Sequence, residues 1–91
     1  MITFTELLKQ ANREKIAIHT PTEEQANALL KELDIRGLKW RDGDRYELDY
    51  NHWWFFEEST CYCPFRGMFG LYKDYVDEGS KIIEFEDVEF D

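Results

Sequence analysis

Positive charge is what this chain most lacks. Eleven Lys and Arg face 20 Asp and Glu in 91 residues, a formal net charge of −9. Phosphate contacts dominate nucleic-acid affinity and need clustered cations. Lys39, Arg41 and Arg45 form the only dense basic group, and Asp42 and Asp44 interrupt it. Direct nucleic-acid binding is therefore disfavoured. Cysteine is confined to Cys61 and Cys63. A disulfide framework in a small secreted domain uses more. Residues i and i+2 of a strand lie about 7 Å apart, at the limit of a bridge. Both therefore read as reduced thiols, which implies a cytoplasmic setting. The opening Met1-Ile2-Thr3-Phe4-Thr5-Glu6 lacks the basic and apolar stretches of a signal peptide. No apolar run approaches the roughly 18 residues of a membrane span, so no membrane contact is expected. With five glycines in all, no Gly-rich phosphate loop is present.

Rings, by contrast, are abundant. Three Trp, five Tyr and seven Phe make 16% of the chain. Disorder requires few aromatics, so residues 1–91 should fold, and their length fits a single domain. A domain of this size buries only about 60–65% of its unfolded surface. Each buried ring contributes about 150–250 Å² to that total.

Periodicity divides the chain into short elements. Phe4, Leu7, Leu8 and Ala11 form one helical face, with Thr3 and Glu6 spaced as a capping box. Residues 15–19 read as a strand. Thr20-Pro21-Thr22-Glu23 reads as a helix start, with Thr20 capping, Pro21 first in the helix and Glu23 reaching back. Ala26, Leu29, Leu30 and Leu33 give that helix an apolar face over about 21–35, and Gly37 ends it. Residues 38–40 read as extended, Asp42-Gly43 as a turn, and the alternation of Tyr46, Leu48 and Tyr50 as a half-buried strand. Residues 59–63 have strand composition, with Pro64 stopping the strand or marking a sheet edge. Residues 66–70 read as a loop. Leu71, Tyr72, Tyr75 and Val76 form a short helical stripe before Gly79, and residues 81–85 form a last strand. The acidic end, 86–91, extends that strand or frays. The expected fold is α+β: a small, mostly antiparallel sheet of about four strands. One main helix packs on a face, with short helices near the N-terminus and in the C-terminal half.

No spacing amounts to a catalytic or metal signature, so no catalytic residue, metal ligand or cofactor is expected. Cys61-x-Cys63 is too tightly spaced for the usual zinc pair. A thiolate pair between either cysteine and His19 or His52 has no local sequence to support it. Glu57-Glu58 beside four rings invites a general-acid reading, but solvated charges are common in so acidic a chain. The run Trp53-Trp54-Phe55-Phe56 is the main candidate. In an extended strand it would place rings on both faces. Either the helices shield both sets, or one face stays exposed as a binding patch. The carboxylates at the end carry a similar choice between solubility and electrostatic steering.

Four segments carry a resemblance: Ile16-Ala17-Ile18-His19-Thr20-Pro21-Thr22-Glu23-Glu24-Gln25, Gly37-Leu38-Lys39-Trp40, Thr60-Cys61-Tyr62, and residues 78–86. Their order resembles small acidic proteins of unknown function encoded by phages and prophages of Gram-positive bacteria. The resemblance covers about residues 15–88, with residues 4–14 as an added helix. It implies an early-gene or anti-defence role in a bacterial host's cytoplasm. The expected function is non-enzymatic: docking onto, and inhibiting, a host macromolecule with a basic surface. Trp53, Trp54, Phe55 and Tyr62 are the expected anchors, with Glu84, Glu86, Asp87 and Glu89 steering association. The alternative is a nucleotide-like small ligand stacked on Trp53, Trp54 or Tyr62. A hydrolase or metal enzyme is a third, weaker option. A last strand at a sheet edge would also allow pairing with a second copy.

Overall fold

The capping box at the N-terminus forms on one side. In the computed structural model, which describes residues 1–47 and 50–91, Thr3 Oγ1 accepts the Glu6 amide at 3.2 Å. It starts helix α1, Phe4–Ala11, after the short strand β1, Ile2–Thr3. Phe4, Leu7 and Ala11 are buried, so the helix keeps the face that the periodicity predicts.

Strand β2, Ile16–His19, leads to helix α2, Glu23–Ile35. The helix starts two residues later than the expected frame. Thr22, not Thr20, is the cap: its Oγ1 accepts the Gln25 amide at 3.2 Å, and Gln25 Oε1 accepts the Thr22 amide at 3.3 Å. Thr20-x-x-Glu23 and Thr22-x-x-Gln25 both satisfy the capping-box spacing. Tertiary contact selects the second, because Thr20 is buried and its amide and hydroxyl both donate to the Thr60 carbonyl. Gly37, at φ +82°, ends α2. The Gly37 amide donates to Asp34 and the Leu38 amide to Leu33, the paired bonds of a Schellman stop.

Four strands form the main sheet in the order β4-β3-β2-β5. They are β3, Thr60–Cys63, β4, Met68–Leu71, and β5, Lys81–Glu84, around β2. β2–β3 and β3–β4 are antiparallel, while β2–β5 is parallel, so the sheet is mixed. The fold is α+β. β3 is an interior strand, so Pro64 follows its end and does not mark an edge. β5 is an edge strand, the position that pairing with a second copy would require.

The two sheet faces bury different sets. Ile16, Ile18 and Tyr62 join Phe4, Leu7, Leu29, Leu30 and Leu33 of α1 and α2. Ala17, Cys61 and Cys63 pack on the other side with Tyr75. Tyr75 belongs to helix α3, Tyr72–Asp77, where Tyr72 and Val76 of the expected apolar stripe stay exposed. Strand period, with alternate residues facing opposite ways, accounts for the split.

Several local expectations fail for tertiary reasons. Residues 68–70 belong to β4, not to a loop. Gly70 is small because the Tyr75 ring lies where its side chain would project, 3.1 Å from an added Cβ. Residues 38–40 form no strand, since Trp40 bonds locally to Asp44 around the Asp42-Gly43 turn. Tyr46 and Glu47 are not in a strand either, and Leu48 and Asp49 of that expected alternation lie outside the described residues. The acidic end does not fray. Strand β6, Val88–Glu89, pairs with β1 in parallel, and Phe90 meets Phe4 edge-on at 5.1 Å. Asp91 Oδ1 accepts the Thr5 amide at 3.1 Å, and Arg36 donates to the Asp91 carbonyl at 2.6 Å.

Arg66 ties the β3–β4 turn to the end of α3. Its guanidinium pairs with Glu78, and its Nε donates to Cys63 Sγ at 3.3 Å. Arg66 and the Ser80 hydroxyl hold the Glu78 carboxyl down to about 2, from an ordinary 4.5. Below pH 4.5 the unfolded chain takes up a proton that the folded chain refuses until near pH 2. This contribution is therefore complete above that window and lost as pH falls through it. Glu78→Gln should lower stability at neutral pH and narrow its gap to wild type at about pH 2. Urea titrations at neutral pH, pH 4.5 and about pH 2 check this. A gap of constant size would refute it.

Candidate docking site

One buried amide organises the aromatic run. Asn51 is 4% exposed. Its Nδ2 donates to Glu23 Oε2 at 3.0 Å and to Asn27 Oδ1 at 2.8 Å, both on α2. Its Oδ1 accepts the Trp53 amide at 2.9 Å, an Asx turn. Its carbonyl accepts the Tyr62 hydroxyl. The chain then enters 3₁₀ turns at Trp53–Phe55 and Glu57–Ser59. His52 at φ +62° and Glu57 at φ +49° bracket the first turn, in a region that non-glycine residues rarely occupy.

This geometry corrects the expected strand alternation. The captured Trp53 amide bends the backbone, so the rings separate by turn and not by strand face. Trp53 turns inward, and its Nε1 donates to the Thr20 carbonyl at 2.9 Å. The Thr60 hydroxyl donates to the Trp53 carbonyl at 3.2 Å. Trp53 is thus half-buried as an anchor of the turn rather than a contact residue. Trp54 and Phe55 project together, 62% and 52% exposed, with ring centroids 3.9 Å apart.

The exposed pair continues into a larger ring surface. Phe55 stacks near Phe69 of β4 at 5.7 Å, and His52 lies parallel to Phe69 at 4.7 Å and 3°. Trp40 meets His52 edge-on at 5.2 Å. Beyond these rings opens a cleft of about 1000 Å³, bounded by Trp40, Tyr50, His52, Met68 and Phe69. Asp42, Asp44, Glu47, Arg41 and Arg45 supply its charged rim.

Of the remaining expected site residues, Tyr62 is excluded as a contact. It is fully buried on interior strand β3, and its hydroxyl is used by Asn51. Burial pushes that hydroxyl well above the ordinary tyrosine value. Glu84 is half-buried, its Oε1 2.7 Å from His19 Nδ1. His19 Nε2 lies 2.7 Å from the Glu58 carbonyl, and the Tyr72 ring meets its imidazole edge-on at 4.9 Å. Glu84 thereby helps to tie the aromatic segment to the sheet. Glu86, Asp87 and Glu89 are exposed. They follow β5, the sheet edge opposite β4 and Phe69, so strand placement separates them from the rings.

The two chemical options raised by the cysteines lose their geometry. Cys61 pairs across the sheet with His19, but burial, then the nearby Glu84 charge, pushes its thiol up to about 12. A protonated, enclosed thiol is a poor nucleophile. Among the described residues, no group of three or more His, Cys, Asp or Glu side chains is placed to hold a metal ion. Glu57 and Glu58 are both exposed, without the apolar enclosure a general acid would need. A stacked small ligand loses Trp53 and Tyr62 as platforms, which leaves Trp54 and the cleft.

Sequence reasoning missed Trp40, His52, Phe69 and the organising Asn51. For Asn51 a signal existed: an asparagine two residues ahead of a ring-rich run is placed for an Asx turn. Among the described residues, no helix is long and apolar enough to cross a membrane. No protein-family model matches the chain, and neither a curated protein nor a solved structure is similar enough to count as a match.

Proposed function

We propose that the protein acts by docking onto another protein with a basic surface, using Trp54, Phe55 and the adjoining ring surface as its anchor. The observation that carries this is the paired outward projection of Trp54 and Phe55, more than half exposed on a turn held by part-buried hydrogen bonds. An unpinned loop could hide such rings against its own core. This one is braced from α2, β2 and β3, so the rings are pre-organised for a partner. Trp is over-represented among interface residues that carry most binding energy. The net charge of −9 favours a basic partner and speeds its approach. The resemblance to small phage and prophage proteins gives such docking an inhibitory purpose.

The test begins with capture of partners on the immobilised protein, then purification of the captured species. Titration should give a Kd that weakens on raising salt. Trp54→Ala with Phe55→Ala should weaken it about 30-fold or more, as loss of a hot spot does. Both residues are exposed, so the variant should keep its fold. A partner bound equally by the variant, or with no salt dependence, would refute the proposal.

A further inference from the structure

The cleft beside the ring surface has a charge pattern of its own. Three carboxylates, Asp42, Asp44 and Glu47, share its rim with Arg41 and Arg45. The two arginines are not equivalent. Arg45 is held by Asp34 through two bonds, at 3.1 and 2.9 Å, and its guanidinium keeps the Asp34 carboxyl below the usual range. Its charge is matched before any ligand arrives. Arg41 has no carboxylate within ion-pair distance among the described residues, and its guanidinium lies 3.9 Å from Met68 Sδ. Among the described residues, one unmatched cation therefore opposes three carboxylates, on a chain that is already strongly acidic. The walls between them are aromatic, from Trp40, Tyr50, His52 and Phe69.

We infer that this cleft receives an arginine or lysine side chain of the protein partner. Ring faces attract a guanidinium or ammonium group through cation–π contact, and carboxylates at the rim add ionic contact. A volume of about 1000 Å³ admits a long cationic side chain with the backbone that carries it. Among the described residues, a phosphate-bearing ligand would meet three carboxylates for one guanidinium that no carboxylate already holds. The inference rests on the docking proposal and identifies the basic feature that the acidic protein selects.

Arg41 separates the possibilities. It repels a cationic guest and would attract an anionic one. The probes are a capped Gly-Arg-Gly peptide, a capped Gly-Glu-Gly peptide and adenosine monophosphate, titrated while the Trp40 indole N–H resonance is followed. The arginine peptide should shift that resonance saturably, and the other two should not. Arg41→Ala should tighten the arginine peptide about threefold, the Coulomb gain from removing one like charge a few ångströms away in water. Glu47→Gln should weaken it by a similar factor. Both side chains are exposed, so neither change threatens the fold. Adenosine monophosphate binding that is lost in Arg41→Ala would overturn the inference and make the cleft an anion site. No shift with any probe would overturn it too. If the purified partner still requires Trp54 and Phe55 but ignores Arg41→Ala and Glu47→Gln, this inference fails and the docking proposal stands. If the partner ignores Trp54 and Phe55 as well, both fail.

Discussion

Gly67→Ala is expected to destabilise the protein by about 3–5 kcal/mol, among the larger effects a single methyl can have. Two causes combine. Gly67 has φ +62°, where an L-residue is strained by about 1–2 kcal/mol. A Cβ there would also lie 2.4 Å from the Arg41 nitrogen, 2.7 Å from the Trp40 carbonyl carbon and 2.8 Å from the Lys39 oxygen. These are backbone atoms, so no rotamer change relieves the clash. The strap of residues 39–41 must lift, and the bond from the Arg41 amide to the Gly67 carbonyl, 3.0 Å, goes with it. A domain of this size loses about 4–8 °C of Tm per kcal/mol, so thermal unfolding should drop by at least roughly 12 °C. Gly43→Ala is the control. Gly43 has φ +94° with nothing within 4 Å of an added Cβ, so only the backbone strain applies. Equal losses for the two variants would show that the strap does not press on Gly67. Because the strap carries Trp40 and Arg41, Gly67→Ala should also disturb the cleft.

Asn51→Ala is expected to cost about 3 kcal/mol, and to loosen the aromatic turn before the rest of the domain. The substitution leaves the Trp53 amide and Asn27 Oδ1 without their partner in a part-buried setting, at about 1–3 kcal/mol for each unmatched group. Asn51→Asp keeps the acceptor for Trp53 but places a carboxylate against Glu23 Oε2 and Asn27 Oδ1, where a donor stood. It should be at least as damaging at neutral pH and should recover on acidification, when the new carboxyl regains a proton to donate. Urea unfolding monitored at several pH values tests both variants. Hydrogen exchange at the Trp53 amide adds a local readout, since protection there should fall further than in α1. Asn51→Asp as stable as wild type at neutral pH would show that the amide hub does not hold the turn.

The candidate site was partly legible in the residues themselves. An excess of rings left open whether part of the run 53–56 stays exposed, and Trp54 and Phe55 are its exposed members. Trp53 and Tyr62 were indistinguishable from them by composition. A ring's burial depends on which backbone carbonyl its polar atom can reach, and those carbonyls, Thr20 and Asn51, lie 33 and 11 residues away in sequence. The cleft was not legible at all, because its described lining comes from two separated stretches of chain, between Trp40 and His52 and at Gly67 to Phe69, which only the tertiary structure brings together. Glu86, Asp87 and Glu89, expected to steer association, are exposed, and their placement past β5, away from β4 and Phe69, follows from the strand order β4-β3-β2-β5.

Helices α1 and α2, strands β2, β3 and β5, and the stops at Gly37 and Gly79 were determined by short-range rules in the sequence. Caps, apolar periodicity and positive-φ glycines act within a few residues, so a local reading suffices. The choice between Thr20 and Thr22 as cap, the pairing of 68–71 into the sheet, the docking of the acidic end and the outward turn of Trp54 and Phe55 were decided only in the tertiary structure. In each case local rules left the conformation open, and a packing partner outside the element decided it. Thr60 claimed Thr20, Tyr75 filled the space above Gly70, Arg36 and Phe4 held the last residues, and α2 held Asn51.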